Sequence, residues 1–575
     1  MSQSNPFDKD KDRFIVEIPP KSPPQKPALE PAKKPASVAK SAGIISLAVM
    51  ASRVLGLVRE IIFNSLFGAS ASYASDAFLM AFRIPNLLRD LFAEGALSSA
   101  FVTVFADYQV TKGEKAAFRL SNLVMNALLL ILGILVILGI IFAPQIVNFF
   151  ASGYKSVPGK FELTVRMTRL MMPFILLVAM AAQAMGLLNS RNRFAIPALS
   201  SSFFNVGSIL GGVFLAILMS GGSFAHPIQA VVENPLDGII GMTYGVLIGG
   251  FLQLAIQLPS LHREGYRYRP LLSFRDEGVR RIFALMAPAV IGAAAVQINV
   301  LINSNFATSI PGNGAVSWLN SAFRLMQFPL GMFGVAIATA TVPAISKNAA
   351  LKEVDGFRKT LASSIRLVFL LTIPSAVGLL VLGQPIIALI YERGAFRSAD
   401  TTHTAAALAF YAVGLAGYSA IKVLAPAFYA LNDARTPMKI SLLSIVVNFV
   451  MNWALVGVME ERGLALSTAV VALLNFALLY WIMQRRINGI EGRKTFATVI
   501  KITLAATVMG VVCWLVSKLC YRALGDTQLA RLLNVMASVL TGAIVFCAVA
   551  TLLKVRELSV AFDAIGGRIM KKLKR

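Results

Sequence analysis

Apolar stretches long enough to cross a bilayer recur along this chain from Gly43 to Leu553, and several carry arginines inside them. A hydrocarbon core ~30 Å thick needs about 20 residues of helix at ~1.5 Å per residue. About fourteen segments meet that length: 43–66, 76–106, 120–147, 162–189, 195–219, 236–261, 279–307, 315–345, 363–390, 403–430, 437–458, 464–484, 497–517 and 533–553. A chain with 57% hydrophobic and 14% charged residues and a mean hydropathy of +0.71 does not fold as a water-soluble globule. Helices satisfy every backbone N–H and C=O within their own segment, so the expected fold class is an all-α polytopic membrane protein.

The charges inside these spans constrain what lies between the helices. Arg53 and Arg59 fall in the first span, Asp76, Arg83, Arg89, Asp90 and Glu94 in the second, and Arg324 in the eighth. One charge near a helix centre costs about 2.5–3.5 kcal/mol against lipid. These groups are therefore expected to face one another or a hydrated interior. Counting residues at ~1.5 Å each places Arg53, Arg89 and Arg324 ~14 to ~20 Å deep, around the midplane. A guanidinium stays charged and forks onto two phosphate oxygens, which an ammonium cannot do. Several at one depth suit a diphosphate or another multivalent anion. Asp76 marks the mouth of the second span, and Lys422, shortly before Pro426, either adds to the field or snorkels to the interface.

Enzymatic machinery is not visible. Cys513, Cys520 and Cys547 sit in apolar runs and read as packing residues, His226, His262 and His403 are scattered near span ends, and no HExxH, GxxxxGK[ST] or GxSxG string occurs. No cofactor and no metal are expected. Residues 1–42, rich in Pro, Lys and Ser, read as a disordered cytoplasmic tail rather than a signal peptide. Most of the 54 Lys and Arg fall in alternate loops such as 262–281, 346–366 and 484–501 and in the two tails. That asymmetry puts both termini in the cytoplasm and accounts for most of the +26 net charge, so nucleic acid is not an expected partner. The basic end, 554–575, is a cytoplasmic tail, either solvated or lying as an interfacial helix on anionic lipid.

A weak internal echo runs through the chain. FRIPNLLRDLFAEGALSSAFV (82–102) pairs with FRLMQFPLGMFGVAIATATVP (323–343), and LLNSRNRFAIP (187–197) with ALNDARTP (430–437), each offset by six spans. The expected organisation is two parallel six-helix lobes, 43–261 and 279–484, followed by two further helices over 497–553. Pro85, Pro329, Pro374 and Pro426 are expected to bend or break their helices. Gly241, Gly245 and Gly249 are expected to admit close helix packing.

Four strings carry a resemblance: SRVLGLVRE (52–60), SDAFLMAFRIPNLLRDLFAEGALSSAFV (75–102), FRLMQFPLGMFGVAIATATVPAIS (323–346) and KVLAPAFYALNDARTP (422–437). They resemble the MurJ/MviN family of lipid II flippases, within the multidrug/oligosaccharidyl-lipid/polysaccharide flippase superfamily. The resemblance implies a bacterial inner-membrane transporter that moves the undecaprenyl-diphosphate-linked peptidoglycan precursor to the periplasmic leaflet. Its partners would be lipid II, membrane lipids and cell-wall synthesis machinery. By the same resemblance Arg53, Arg59, Arg89 and Arg324 match cavity arginines and Asp76 a functional acid near the outer gate, with Glu94 a second acid and Ser52, Asn86 and Lys422 secondary candidates. The last two helices would form a groove for the lipid tail. Phe323 and Gln327 stand where relatives often carry acids. Some relatives place a sodium site among the seventh, eleventh and twelfth helices, built partly from carboxylates. Here Asn448, Asn452 and Thr468 stand in that region with Asn299 and Asn303, so a bound ion is expected to be weak or absent. The alternatives are an O-antigen-type lipid-linked oligosaccharide flippase and, against the charge sign, a MATE-like exporter of cationic drugs. A membrane enzyme acting on prenyl phosphates lacks the sizeable acid-bearing loops it would need.

Overall fold

The computed structural model describes residues 35–92, 97–222 and 227–559. Glu94, the tail before residue 35 and the basic end after residue 559 lie outside the described residues. The described chain is helical throughout, in the order α1 (Pro35–Phe67), α2 (Ala74–Phe92), α3 (Ser98–Thr111), α4 (Glu114–Ile141), α5 (Ala143–Phe150), α6 (Lys160–Met171), α7 (Phe174–Ser190), α8 (Ala195–Met219), α9 (Pro227–Glu233), α10 (Pro235–Ala255), α11 (Leu258–Arg263), α12 (Glu277–Thr308), α13 (Ala315–Pro329), α14 (Ala336–Ala350), α15 (Val354–Tyr391), α16 (Ser398–Ala430), α17 (Arg435–Arg486), α18 (Gly492–Leu524) and α19 (Gln528–Leu552). Among the described residues ten helical segments are long and apolar enough to cross a membrane. The reading of about fourteen spans is consistent with these ten, a fold-back within α17, and the charged segments α1, α2–α3 and α12.

One boundary differs from expectation, and two breaks fall where the sequence put them. α1 starts at Pro35, inside the stretch read as a disordered tail. Proline pre-sets the first helical turn, and the Ala- and Ser-rich residues that follow propagate it. α17, 52 residues over Arg435–Arg486, covers the two spans expected over 437–458 and 464–484. A straight helix of that length would reach ~78 Å, more than twice the hydrocarbon thickness. The chain folds back instead at a single residue, Glu460 (φ 51°, ψ −130°), which brings Gly463 against the Leu455 carbonyl. Pro329, expected to bend or break its helix, ends α13 and is followed by a π-helical turn, Leu330–Val335, before α14 resumes the span. The missing proline N–H removes one rung of the ladder, and the wider turn absorbs the mismatch.

Close helix packing positions the interior. α8 and α10 touch backbone to backbone: a Cβ on Gly245 would lie 2.4 Å from the Gly212 Cα, and one on Gly241 2.3 Å from the Ala216 nitrogen. The stripe expected to be structural is so. An apolar cluster built from Met80 and Ile84 of α2, Trp318 of α13, Ile387 and Tyr391 of α15 and Leu415 of α16 joins the early and late helices near one end of the bundle. The three cysteines are free, and Cys513 lies wedged against Gly542 between α18 and α19.

At the opposite end, Asp433 ties down the start of α17. Its carboxylate accepts from the Thr436 N–H (3.0 Å) and hydroxyl (2.7 Å) and pairs with Arg486 from the end of the same helix. The Thr436 hydroxyl, its backbone N–H and Arg486 hold the Asp433 carboxyl below its ordinary value. A carboxylate lowered in the folded state contributes stability above its unfolded pKa, which is lost as pH falls through the lower folded value. Asp433→Ala is expected to cost about 0.5–2 kcal/mol at neutral pH, as for a lost helix cap. The gap between variant and parent in thermal unfolding should close as pH drops below ~4; a gap unchanged at low pH would show that the charge plays no part.

Candidate functional site

Two adjacent cavities lie between the early and late helices. The first, about 200 Å³, is lined by Arg59, Glu60, Phe63 and Asn64 of α1, Phe82, Arg83 and Asn86 of α2, Ser208 of α8, and Asn320 and Arg324 of α13. Arg324 forms an ion pair with Glu60, whose other carboxylate oxygen accepts the Tyr391 hydroxyl at 3.3 Å. Glu60 is 7% exposed and the Arg324 side chain 42%, so the pair is anchored at the acid and open at the guanidinium. Arg59 lies 5.1 Å above the Phe204 ring and within electrostatic reach of Arg324, Glu60 and Arg89. Arg83 donates to the Ser304 hydroxyl at 2.6 Å. In the lining, Arg59, Arg83 and Arg324 face the single carboxylate of Glu60.

The second cavity, about 320 Å³, shares Arg83 and Asn320 with the first and is otherwise lined by Asn299 and Asn303 of α12, Tyr411 and Tyr418 of α16, and Ser444, Asn448, Thr468 and Asn475 of α17. Among its polar groups amides are the most numerous, on walls that are otherwise largely apolar, and the amides of this region bond one another. The Asn452 amide donates to Asn303 (2.7 Å) and to Asn448 (3.2 Å), and Asn303 donates to the Thr468 hydroxyl (3.3 Å). Among the described residues no cluster of three His, Cys, Asp or Glu has metal-ligating geometry.

The arginines expected at one depth are divided between faces. Arg53 is exposed on α1, with Nη1 2.7 Å from where a Gly331 Cβ would stand, and Arg89 pairs with Asp90 at 2.9 Å. Neither lines the two cavities, which hold Arg59, Arg83 and Arg324. Arg53 and Arg59, like Arg83 and Arg89, are six residues apart, which turns their side chains roughly 120° from one another around a helix. Residue counting gives depth but not azimuth. Asn86 lines the first cavity, the Ser52 carbonyl accepts from Asn205 (3.1 Å), and Lys422 is exposed on α16 outside both linings.

Two carboxylates seal one end of the bundle. Asp76 is 1% exposed, pairs with Lys160 at 3.0 Å, and accepts from the Gly314 N–H (2.8 Å), the Ser317 N–H (3.0 Å) and the Ser317 hydroxyl (2.9 Å). An acid on α2 thereby caps α13, whose own cap position is Gly314 without a side chain to do so. Asp400, at the start of α16, accepts from the Ser70 N–H (3.1 Å) and hydroxyl (2.6 Å) and from the Trp318 indole (2.8 Å). Trp318 stacks on His403 at 4.1 Å, and His403 bonds the buried Glu461 at 2.8 Å beside the fold-back of α17. Glu60, Lys160, Asp400 and Asn320 were not singled out from sequence. Glu60 had a signal, an acid inside an apolar span; Asp400 had none, since its partner Ser70 is 330 residues away.

Helices packed this way define a class of membrane transporter. The fold is similar to an inward-facing multidrug resistance MATE family transporter of the MOP superfamily, with a TM-score of 0.61 at 14% identity over 78% of this chain and 99% of that one, a likeness of fold alone. It is also similar to a solved lipid II flippase MurJ in an inward closed conformation, with a TM-score of 0.71 and 27% identity over 88% of this chain and 99% of that one. The family model described as lipid II flippase MurJ matches residues 63–533. The lipid II flippase MurJ of Burkholderia cenocepacia is 37% identical over 76% of this chain and 81% of its own length. A probable lipid II flippase MurJ of Buchnera aphidicola is 35% identical over 82% and 89%. The chain belongs to the MurJ lipid II flippase family, multi-pass proteins of the bacterial inner membrane.

The Asp76–Lys160 pair yields a direct test. Removing one partner of a buried pair strands the other charge and costs about 3–5 kcal/mol, whereas replacing both with apolar groups costs far less. Thermal unfolding should therefore rank the parent above Asp76→Ala/Lys160→Met, and that double variant well above Asp76→Ala alone. Unfolding of Asp76→Ala at the parent temperature would show that the seal contributes nothing.

Proposed function

We propose that this chain moves the diphosphate-linked head group of lipid II from the cytoplasmic to the periplasmic leaflet through the two cavities, by alternating access between six-helix lobes spanning 43–261 and 279–484. The observation that carries this reading is the first cavity, where Arg59, Arg83 and Arg324 face only Glu60. A diphosphate entering such a site exchanges its hydration for charge-assisted hydrogen bonds from guanidinium forks. The fold likeness to a MATE transporter does not extend to its chemistry, because a cavity for organic cations calls for the opposite sign. No bond is broken in this transport, so no catalytic residue is required.

Orientation follows from the Lys and Arg asymmetry, with both termini cytoplasmic. The end sealed by Asp76 and Asp400 is then periplasmic, and the arrangement is one closed to the outside. In this reading Asp76 is a gate residue, α18 and α19 shelter the lipid tail in the membrane, and Arg53 and Arg89 meet the head group in other stages of the cycle. Cell-wall synthesis machinery would receive the product.

Cells depleted of their own flippase provide the test. Each charge-assisted contact to phosphate is worth about 1.5–3 kcal/mol, which corresponds to roughly tenfold to hundredfold in binding. Arg59→Ala and Arg324→Ala should leave lipid II accumulated in the inner leaflet while the protein is present at normal level, and lysine at either position should restore transport only in part. Full transport by both alanine variants would overturn the assignment. The amide network around Asn452 carries no carboxylate to balance a cation, so transport should persist in sodium-free buffer with the membrane potential clamped. Strong sodium dependence that vanishes in Asn452→Ala would contradict this.

A further inference from the structure

Outside the two cavities, a charged recess with no part in the proposed transport lies on α6. Arg166 and Arg169 are exposed one turn apart, and both line a recess of about 450 Å³ walled by Pro144, Phe161 and Leu170. Glu162 lines the same recess, yet neither arginine is in an ion pair among the described residues. The Arg169 Nε donates to the Ile140 carbonyl at 3.2 Å, near the last turn of α4, which fixes the side chain beside the junction of α4 and α5.

Depth identifies what this recess meets. α6 and α7 form one span that ends at Ser190, beside Arg191 and Arg193. Counting back from Ser190 at ~1.5 Å per residue puts Arg169 ~32 Å away, one hydrocarbon thickness, and Arg166 one turn beyond. Both guanidiniums therefore stand at the phosphate plane of the leaflet on the Asp76 side. The surroundings suit a lipid. α5 turns away from α4 at this level, and Phe142 (48%) and Phe149 (65%) are exposed there, apolar side chains of the kind an interfacial helix lays into the boundary between head groups and acyl chains. The last turns of α4 expose Ile134, Ile137, Leu138 and Ile141, an apolar strip for acyl chains.

We infer that Arg166 and Arg169 form a binding site for the phosphodiester of an anionic phospholipid in that leaflet, with its acyl chains along α4. Two guanidiniums against one carboxylate leave the recess positively charged, which disfavours the ammonium of a zwitterionic head group. The site is separate from the transported lipid and does not depend on the proposed transport.

Purified full-length protein, stripped of lipid, is mixed with phosphatidylglycerol, phosphatidylcholine or inorganic phosphate, and bound lipid is counted by native mass spectrometry. Phosphatidylglycerol should be retained by the parent and held about tenfold more weakly by Arg166→Gln/Arg169→Gln, the worth of one charge-assisted bond. Arg166→Gln alone, which leaves the Arg169–Ile140 contact in place, should show an intermediate loss with an unchanged unfolding temperature in lipid-free detergent. Equal retention of phosphatidylglycerol by parent and double variant would overturn the site. Retention of phosphatidylcholine as strong as that of phosphatidylglycerol, or displacement of phosphatidylglycerol by inorganic phosphate, would overturn its assignment to an anionic phospholipid.

Discussion

The buried carboxylate of Asp76 is the constraint on which this arrangement depends. Two ionised groups placed 2% exposed in a membrane protein are tolerable only if each is fully satisfied. Asp76 accepts from Lys160, Gly314 and twice from Ser317, which fills the roughly four lone-pair positions of a carboxylate. Lys160 in turn directs its ammonium at Asp76, the Gly312 carbonyl (3.4 Å) and the Asn313 side chain (3.3 Å), and lies 4.3 Å above the Tyr154 ring. These partners come from α2, α6, α13 and the turn before it. Separation of α2 from α13 would strip several bonds from the same two charges together, which opposes partial opening of this end.

Much of the architecture was legible because membrane helices must solve their hydrogen bonding locally. Length, hydropathy and the position of Pro329 suffice to place the spans and the break after α13. The residues that join distant parts are legible in a different degree. Asp76 stood out as an acid at a span end, whereas nothing in the sequence placed the π turn after Pro329 opposite Arg53. Asp400 reads as an ordinary first-turn acid, and only the folded chain shows it gripping Ser70 and Trp318. The fold-back at Glu460 falls in the interval left between the spans 437–458 and 464–484, although one residue with φ 51° replaces the glycine- or proline-rich loop that usually marks a turn.

Azimuth is the part of the site that a linear sequence conceals most. Residue counting puts Arg53 and Arg89 at the expected depth, but the first cavity is lined by Arg59, Arg83 and Arg324 because of how α1, α2 and α13 are rotated. Rotation is set by packing, here at Gly56, where a Cβ would stand 3.7 Å from the Asn205 amide and 3.8 Å from the Arg324 guanidinium. Arg83 gains a distinct position from the same rotation. It borders both cavities, so its charge acts on a cationic compartment on one side and an amide-lined one on the other.

The pairing of Arg324 with Glu60 gives this geometry a way to respond to a ligand. An anion bound equally well in every conformation shifts no population, however tightly it binds. Under the proposed alternating access, a phosphate reaching the exposed side of Arg324 would meet a guanidinium whose Nε is held by Glu60, itself bonded to the Tyr391 hydroxyl. Tyr391 ends α15, and the turn that follows is bound to α1 through the Ala395 N–H and the Ser65 carbonyl at 2.8 Å. A ligand that drew Arg324 away from Glu60 would therefore act on a pair set between α1, α13 and α15. In that proposal a difference in affinity between conformations, rather than affinity itself, is what would let an anion bias the cycle.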